Sequence, residues 1–173
     1  KEELTDYEVW EEKEFCVSED AFSVSSRQVS SNILNTSLPY GDCARINGKE
    51  KKNQVDVIVY HKPSKKICAY EIKRGGSPHD RQKKEKLVAD IIATKILLKS
   101  YAENVKNLEI KEGEAFLISH LGTKLLPPQW MNLQINGNNV DSHFGKEISA
   151  RVEDAESYWN TAFNQCFDSL VKK

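Results

Sequence analysis

The stretch QVDVIVYHKPSKKICAYEIKRGG, residues 54–76, decides how the chain folds. VDVIVYH (55–61) and KICAYEIKR (66–74) are dense in Val, Ile and Tyr, the residues that suit a pleated surface. KPSK between them reads as a tight turn. A four-residue loop sets His61 opposite Lys66. Counting back along the hairpin, Tyr60 then faces Ile67, Val57 faces Tyr70 and Asp56 faces Glu71. Lys73 lies two residues beyond Glu71, so it points to the same face. The pattern therefore predicts two carboxylates and one ammonium together at one end of a hairpin.

Directly opposed residues on antiparallel strands have Cβ atoms about 5 Å apart, and like charges there are destabilising. Two carboxylates held so close favour a cation between them. A hard divalent ion such as Mg²⁺ takes one or two carboxylate ligands and completes its shell with water and phosphate oxygens. Lys73 is placed to position or polarise a water or to stabilise charge developing on a phosphate, which is the chemistry of metal-assisted hydrolysis. Glu-x-Lys also occurs at 11–13, 50–52 and 109–111. None of these has an acid in register: Glu11 lies in an acidic stretch expected to be helical, Glu50 in a polar turn, and Glu109 after a helix end. The competing reading is an ordinary surface pair between Lys73 and Asp56, worth under about 1 kcal/mol. The apolar residues on both faces of these strands favour the site, because they place the acids near a covered region where unpaired charge is costly.

Around the hairpin, SEDAFSVSSRQVSSNILN (18–35) reads as a helix capped by Ser18, with Phe22, Val29 and Ile33 at helical spacing and LPYGD (38–42) as its breaker. CARIN (43–47) is expected as a short strand and GKEKKN (48–53) as a polar turn. GGSPHD (75–80) ends the hairpin. DRQKKEKLVADIIATKILLKSYAEN (80–104) is a long helix with Leu87, Val88, Ile91, Ile92 and Leu98 on an apolar side. EAFLISHL (114–121) is a returning strand, and a strand–helix–strand crossover gives parallel pairing. GTKLLPPQWMNLQINGNNVDSHFG (122–145) reads as irregular; its QINGNNVDSHFG portion is a candidate loop over the site, although a loop histidine such as His143 is more often a surface residue. Val152, Ala155, Trp159, Phe163, Cys166 and Leu170 predict an amphipathic C-terminal helix. The fold class is α/β, a mixed central sheet flanked by helices and closed by a C-terminal helix.

The chain has 173 residues, enough for one domain with a substantial core. No apolar run approaches the roughly 20 residues of a membrane helix. KEELTDYEVWEEKEF at the start is acidic, lacks an apolar core and does not read as a signal peptide. Cys16, Cys43, Cys68 and Cys166 form no CxxC pair, and His61, His79, His120 and His143 are scattered, so free thiols in a reducing cytoplasm are expected rather than a zinc site. The net charge of −1 conceals an asymmetry: residues 45–99 carry 15 Lys/Arg against 6 Asp/Glu, and the remainder is acidic. A basic middle suits a polyanion.

With an acid at a strand start in VD (55–56) and acid-x-Lys in EIK (71–73), the chain resembles the PD-(D/E)xK nucleases, the restriction-endonuclease-like superfamily, over about residues 18–121. The residue before the first acid is Val55 where the family usually has Pro. The resemblance implies an αβββαβ core in a single domain, with residues 122–173 as an extension. It implies Mg²⁺ or Mn²⁺ held by Asp56, Glu71 and the Ile72 backbone carbonyl, with Lys73 acting on the attacking water. A glutamate from the first helix, which many members add, is left open between Glu14 and Glu19; Gln28 in that helix carries no charge. The following helix offers Gln82 or Lys84, and Arg74 adds a phosphate contact. The implied activity is that of a divalent-metal-dependent endonuclease, a phosphodiester hydrolase acting on DNA more readily than RNA. The alternatives are an RNA-cleaving (tRNase) toxin module with an immunity partner, and an idle nucleic-acid-binding domain. Partners beyond nucleic acid are a second copy in a homodimer or the rest of a larger protein.

Overall fold

The computed structural model describes residues 6–31, 37–41, 45–73, 80–119 and 123–144. The expected C-terminal helix, Arg74, and GGSP and His79 before the second helix lie outside the described residues.

Five elements match the expectations closely. Helix α1 spans Glu19–Ser31, and Ser18 caps it, its Oγ accepting from the Ala21 N–H (3.1 Å). Strands β4 (Lys52–His61) and β5 (Lys66–Lys73) form the antiparallel hairpin, with the register His61↔Lys66, Tyr60↔Ile67 and Val57↔Tyr70. Lys65 closes the turn at φ 54°. Helix α2 spans Arg81–Val105; the Asp80 carboxylate caps it by accepting from the Lys83 N–H (2.8 Å). It ends at Asn107 in the left-handed region (φ 54°), with the Leu108 N–H bonded back to the Ala102 carbonyl (3.0 Å). Strand β6 (Glu112–Ser119) returns parallel to β5.

Other elements differ from the reading of the sequence. Residues 7–16 are not helical. They form strand β1 (Tyr7–Cys16), paired antiparallel with β4. Two register shifts in its ladder break any period of two, and its four glutamates dominate the local pattern. The described part of CARIN, residues 45–47, does not join the main sheet. Arg45–Ile46 (β2) and Lys49–Glu50 (β3) make a small ribbon of their own around Asn47-Gly48, both at positive φ. GKEKKN is therefore not one polar turn: only Gly48 turns, and Lys52 already belongs to β4. The stretch expected to be irregular contains a 3₁₀ helix (Pro128–Leu133), strand β7 (Gln134–Asn136) parallel to β6, and helix α3 (Gly137–Phe144).

The result is an α/β fold around a mixed five-stranded sheet ordered β1-β4-β5-β6-β7. Its outer strands come from before residue 18 and after residue 121, so the sheet is not confined to the span expected for the core. The helices divide between the two faces. On one, Ile58, Ile67, Ala69, Ala115 and Leu117 pack under α2. Helix α2 is buried on more than one side (Val88, Ile92, Ile96, Leu97, Leu98, Tyr101) because α1 and residues 37–41 lie against its outer surface. The Leu38 N–H bonds the Ile96 carbonyl (3.0 Å), and Ser100 Oγ bonds the Leu38 carbonyl (2.8 Å). On the other face, Cys68, Tyr70 and Ile135 are covered by Val140 and Phe144 of α3. Gln134 anchors the approach to β7. Its buried Oε1 accepts from the Leu125 and Leu126 N–H groups (2.9 and 3.1 Å). No helix among the described residues is long and apolar enough to cross a membrane. Cys68 is a buried free thiol and Cys16 a partly buried one, while Cys43 and Cys166 lie outside the described residues.

An aromatic cluster ties β1 to α2. Phe15, Tyr40 and Tyr101 meet at ring-centroid distances of 5.0–5.3 Å. The Tyr101 hydroxyl accepts from Trp10 Nε1 (3.1 Å) and donates to the Glu12 carboxylate (2.6 Å). Removing that hydroxyl strips two groups of a partner, and removing the Phe15 ring empties a fully buried site. Tyr101→Phe is expected to cost about 1–2 kcal/mol and Phe15→Ala about 3–5 kcal/mol in urea unfolding. A cost at Phe15 below that at Tyr101 contradicts this account of how β1 is held.

Candidate active site

The hairpin register brings the expected residues to one end of the sheet, with one adjustment. The β4–β5 ladder runs from His61↔Lys66 to Val57↔Tyr70 and stops one step short of Asp56 and Glu71. On its other side, β4 pairs Ile58 with Trp10 and Val55 with Glu12, so three β4 residues match two of β1. The extra residue is a β-bulge, a device that re-aims side chains. It falls at Asp56–Val57. Instead of opposing Glu71 in the ladder, Asp56 turns its carboxylate onto the backbone, and Oδ2 accepts from the Ile72 N–H (2.7 Å). This charge-assisted bond fixes the orientation of Asp56 and continues the hairpin where the ladder ends.

Glu71 and Lys73 share the face that carries Ile67 and Ala69, and their side chains form an ion pair. The Glu71 side chain is only 26% exposed. Burial pushes its carboxyl above the ordinary range; the Lys73 ammonium opposes that shift, and the charges of Asp56 and Asp90 add to it. Ile72 points its side chain to the opposite face. Its N–H is directed at Asp56, and the N–H and C=O of an extended residue serve the same neighbouring strand, so its carbonyl lies on the Asp56 side too.

A cleft of about 250 Å³ opens beside Glu71, between α2 and the ends of β4 and β5. Asp90 of α2 lines it with Glu71. Asp90 pairs with Lys51 (3.3 Å), both side chains about three-quarters covered. Sequence reasoning missed Asp90. The signal was a lone acid inside the apolar run LVADII, where a solvated helix face has no place for one.

The remaining candidates do not converge here. Gln82 is exposed and Lys84 half-buried on the first turn of α2, and neither lines the cleft. Glu14 lies on β1, not in the first helix, and pairs with Lys52 (3.3 Å). Glu19 is exposed at the start of α1. His143 does not loop over the site. It belongs to α3 on the opposite face, where its Nε2 lies 3.1 Å from the Tyr70 hydroxyl among Phe116 and Phe144. The other Glu-x-Lys pairs are surface features: Glu11 and Lys13 are exposed (3.7 Å), and Glu109, which pairs with Lys65, has its carboxyl held low first by that hydrogen bond.

Among the described residues, several lysines of the basic middle stand in ion pairs. Lys52, Lys62, Lys65, Lys66 and Lys95 pair with Glu14, Glu8, Glu109, Glu112 and Glu114. The first four are solvent-facing pairs, worth under about 1 kcal/mol each, and hold their lysines weakly; Lys95 and Glu114 are about three-quarters covered.

Among the described residues, no three His, Cys, Asp or Glu side chains converge closely enough to hold an ion by themselves. Asp56 of β4 and Glu71 and the Ile72 carbonyl of β5 are hard oxygen donors at one end of the hairpin, a set that suits an ion keeping most of its water. Comparison with known proteins finds no matching family model, no similar curated protein and no matching solved structure.

Because Glu71 holds its proton to higher pH than it does unfolded, the folded state binds the extra proton between those two values. Stability therefore falls as pH rises through that window and stays lower above it. Relative to the natural chain, Glu71→Gln is expected to be more stable at pH 8 than at pH 4, as measured by urea unfolding in EDTA. A difference that is flat or reversed with pH refutes a carboxyl raised by burial.

Proposed function

We propose that the protein is a divalent-metal-dependent hydrolase of phosphodiester bonds, acting on DNA more readily than on RNA, with a restriction-endonuclease-like core. The observation that carries this reading is the half-buried Glu71–Lys73 pair beside Asp56, with Glu71 also lining a cleft. Asp56, Glu71 and the Ile72 carbonyl would hold Mg²⁺ or Mn²⁺. The ion, when bound, supplies a Lewis acid that offsets charge on the phosphate and lowers the pKa of water.

The chain's own groups do the rest. The Ile72 N–H keeps the Asp56 carboxylate oriented before any ligand arrives, so little reorganisation is needed. Glu71, raised by burial, gains most from a nearby cation. Lys73 pairs with Glu71, which holds its ammonium beside the proposed site, where it would contact the attacking water or a phosphate oxygen. The weakly paired surface lysines give sequence-independent contacts to the backbone. The core of this proposal departs from the expected element order in one respect. The strand beside β4 comes from before the first helix rather than after it.

The test is cleavage of supercoiled plasmid, linear duplex, single-stranded DNA and total tRNA with Mg²⁺, Mn²⁺ or EDTA. Cutting should require metal, fall by about 10²–10⁴-fold in Lys73→Ala and vanish in Asp56→Asn and Glu71→Gln. Separately, Mn²⁺ should raise the melting temperature of the natural chain, by the equivalent of about 2.7 kcal/mol at a hundred times its Kd, but not that of Asp56→Asn. Cutting of tRNA alone selects the RNA-directed alternative. Neither cutting nor a metal-dependent melting shift, from folded protein, ends the hydrolase reading.

A further inference from the structure

Two carboxylate–ammonium pairs flank the cleft. Glu71 and Lys73 belong to β5, Asp90 to α2, and Lys51 to the junction between β3 and β4. The Lys51 carbonyl accepts from the Val17 N–H (3.1 Å), which fixes the chain at that junction. Both pairs present the same end to the cleft. Among the described residues, its lining includes Glu71 and Asp90 but neither Lys73 nor Lys51. Lys52 also lines the cleft, and its ammonium pairs with Glu14 (3.3 Å). The sheet side and the helix side therefore each contribute one carboxylate. Stability does not account for the second of them. Desolvation of a largely covered pair offsets most of its attraction, and an aliphatic residue in place of Asp90 would simply extend the run LVADII.

We infer that Asp90 is a positioning residue for the cation of the Asp56–Glu71 site: its carboxylate draws the hydrated ion toward Glu71 from the α2 side, and Lys51 sets the strength of that pull. The inference rests on the hydrolase reading of the same site and adds to it a helix residue that is not a ligand. Asp56, Glu71 and Asp90 do not converge closely enough to hold an ion as a set of three. An ion that keeps most of its water, however, offers that water to acceptors outside its own ligands, and such outer groups tune affinity. The pairing gives the effect a direction. Neutralising Asp90 removes an attraction for the cation, whereas neutralising Lys51 removes a repulsion and frees the Asp90 charge. A merely structural bridge has no such asymmetry, because either change breaks it.

The measurement is isothermal titration of the full chain with Mn²⁺ alone, without nucleic acid. Asp90→Asn is expected to weaken Mn²⁺ binding about tenfold, as loss of an outer-shell group does. Asp90→Glu, which keeps the charge, should recover most of that loss, and Lys51→Gln should tighten binding severalfold. Should Asp90→Asn fail to fold because the covered Lys51 loses this partner, the double variant Lys51→Gln/Asp90→Asn should bind Mn²⁺ about tenfold more weakly than Lys51→Gln. Equal affinity with and without the Asp90 charge, a loss in Lys51→Gln that matches the loss in Asp90→Asn, or a loss that Asp90→Glu does not repair overturns the role of Asp90. Where Asp56→Asn abolishes binding and Asp90→Asn leaves it unchanged, that role falls alone. Graded Mn²⁺ binding by a protein that cuts no nucleic acid upholds it and sinks the hydrolase reading alone. No Mn²⁺ binding by the folded natural chain overturns it together with the proposed metal site.

Discussion

The register of the β4–β5 hairpin is the constraint on which the other features rest. Side chains alternate with a period of two, so a slip of one residue would exchange the faces of the strand. It would move Ile67 and Ala69 away from α2 and bring Cys68 and Tyr70 beneath it. The turn at Lys62–Lys65 prevents that slip, with Lys65 in a left-handed conformation. Once the register is set, α2 has an apolar floor, α3 has Tyr70 and Ile135 to cover, and Glu71 and Lys73 must share the α2 side. The site is thus a consequence of the same alternation that builds the core.

Within that frame, the site is where local preference and global fold disagree. A carboxylate at the position of Glu71 sits against burial, two other acids and a single ammonium. A hydrophobic residue there would continue the line of Ile67 and Ala69. Departures of this kind tend to mark functional positions, because folding alone gives no reason for them. The bulge at Asp56–Val57 points the same way. It gives up a regular ladder pair to aim one carboxylate at one backbone amide.

Much of this was legible in the residues. The hairpin, its register, α1, α2 and the parallel return of β6 follow from β-branched density, the Ser18 cap and the apolar stripe of α2. What escaped was set by tertiary context. Strand β1 is acidic along much of its exposed side, so YEVWEEKEF reads as a charged helix until β4 is present to pair with it. Strand β7 has three residues, too few for any periodicity, and gains its place from Gln134 bonding to Leu125 and Leu126. The bulge at Asp56–Val57 needed two neighbouring ladders out of step, which no single strand reveals. Asp90 was visible as an acid among aliphatics, yet its nearness to Glu71 depends on how α2 crosses the sheet.

The order of strands also has a kinetic meaning. Partners in the β4–β5 hairpin are 5–13 residues apart, whereas β5–β6 partners are 46 apart and β1–β4 partners 36–54 apart, and loop closure carries an entropic cost that local pairing avoids. The hairpin that bears Asp56 and Glu71 is therefore the part of the sheet that can organise first. The cluster of Phe15, Tyr40 and Tyr101 is the clasp that closes β1 onto α2. Until it does, the outer edge of β4 is an open strand with unpaired backbone groups, the kind of edge through which chains associate. The four glutamates and the one lysine of β1 that crowd this edge in the finished fold then have a second use: they keep the outermost strand of the sheet from being a sticky one.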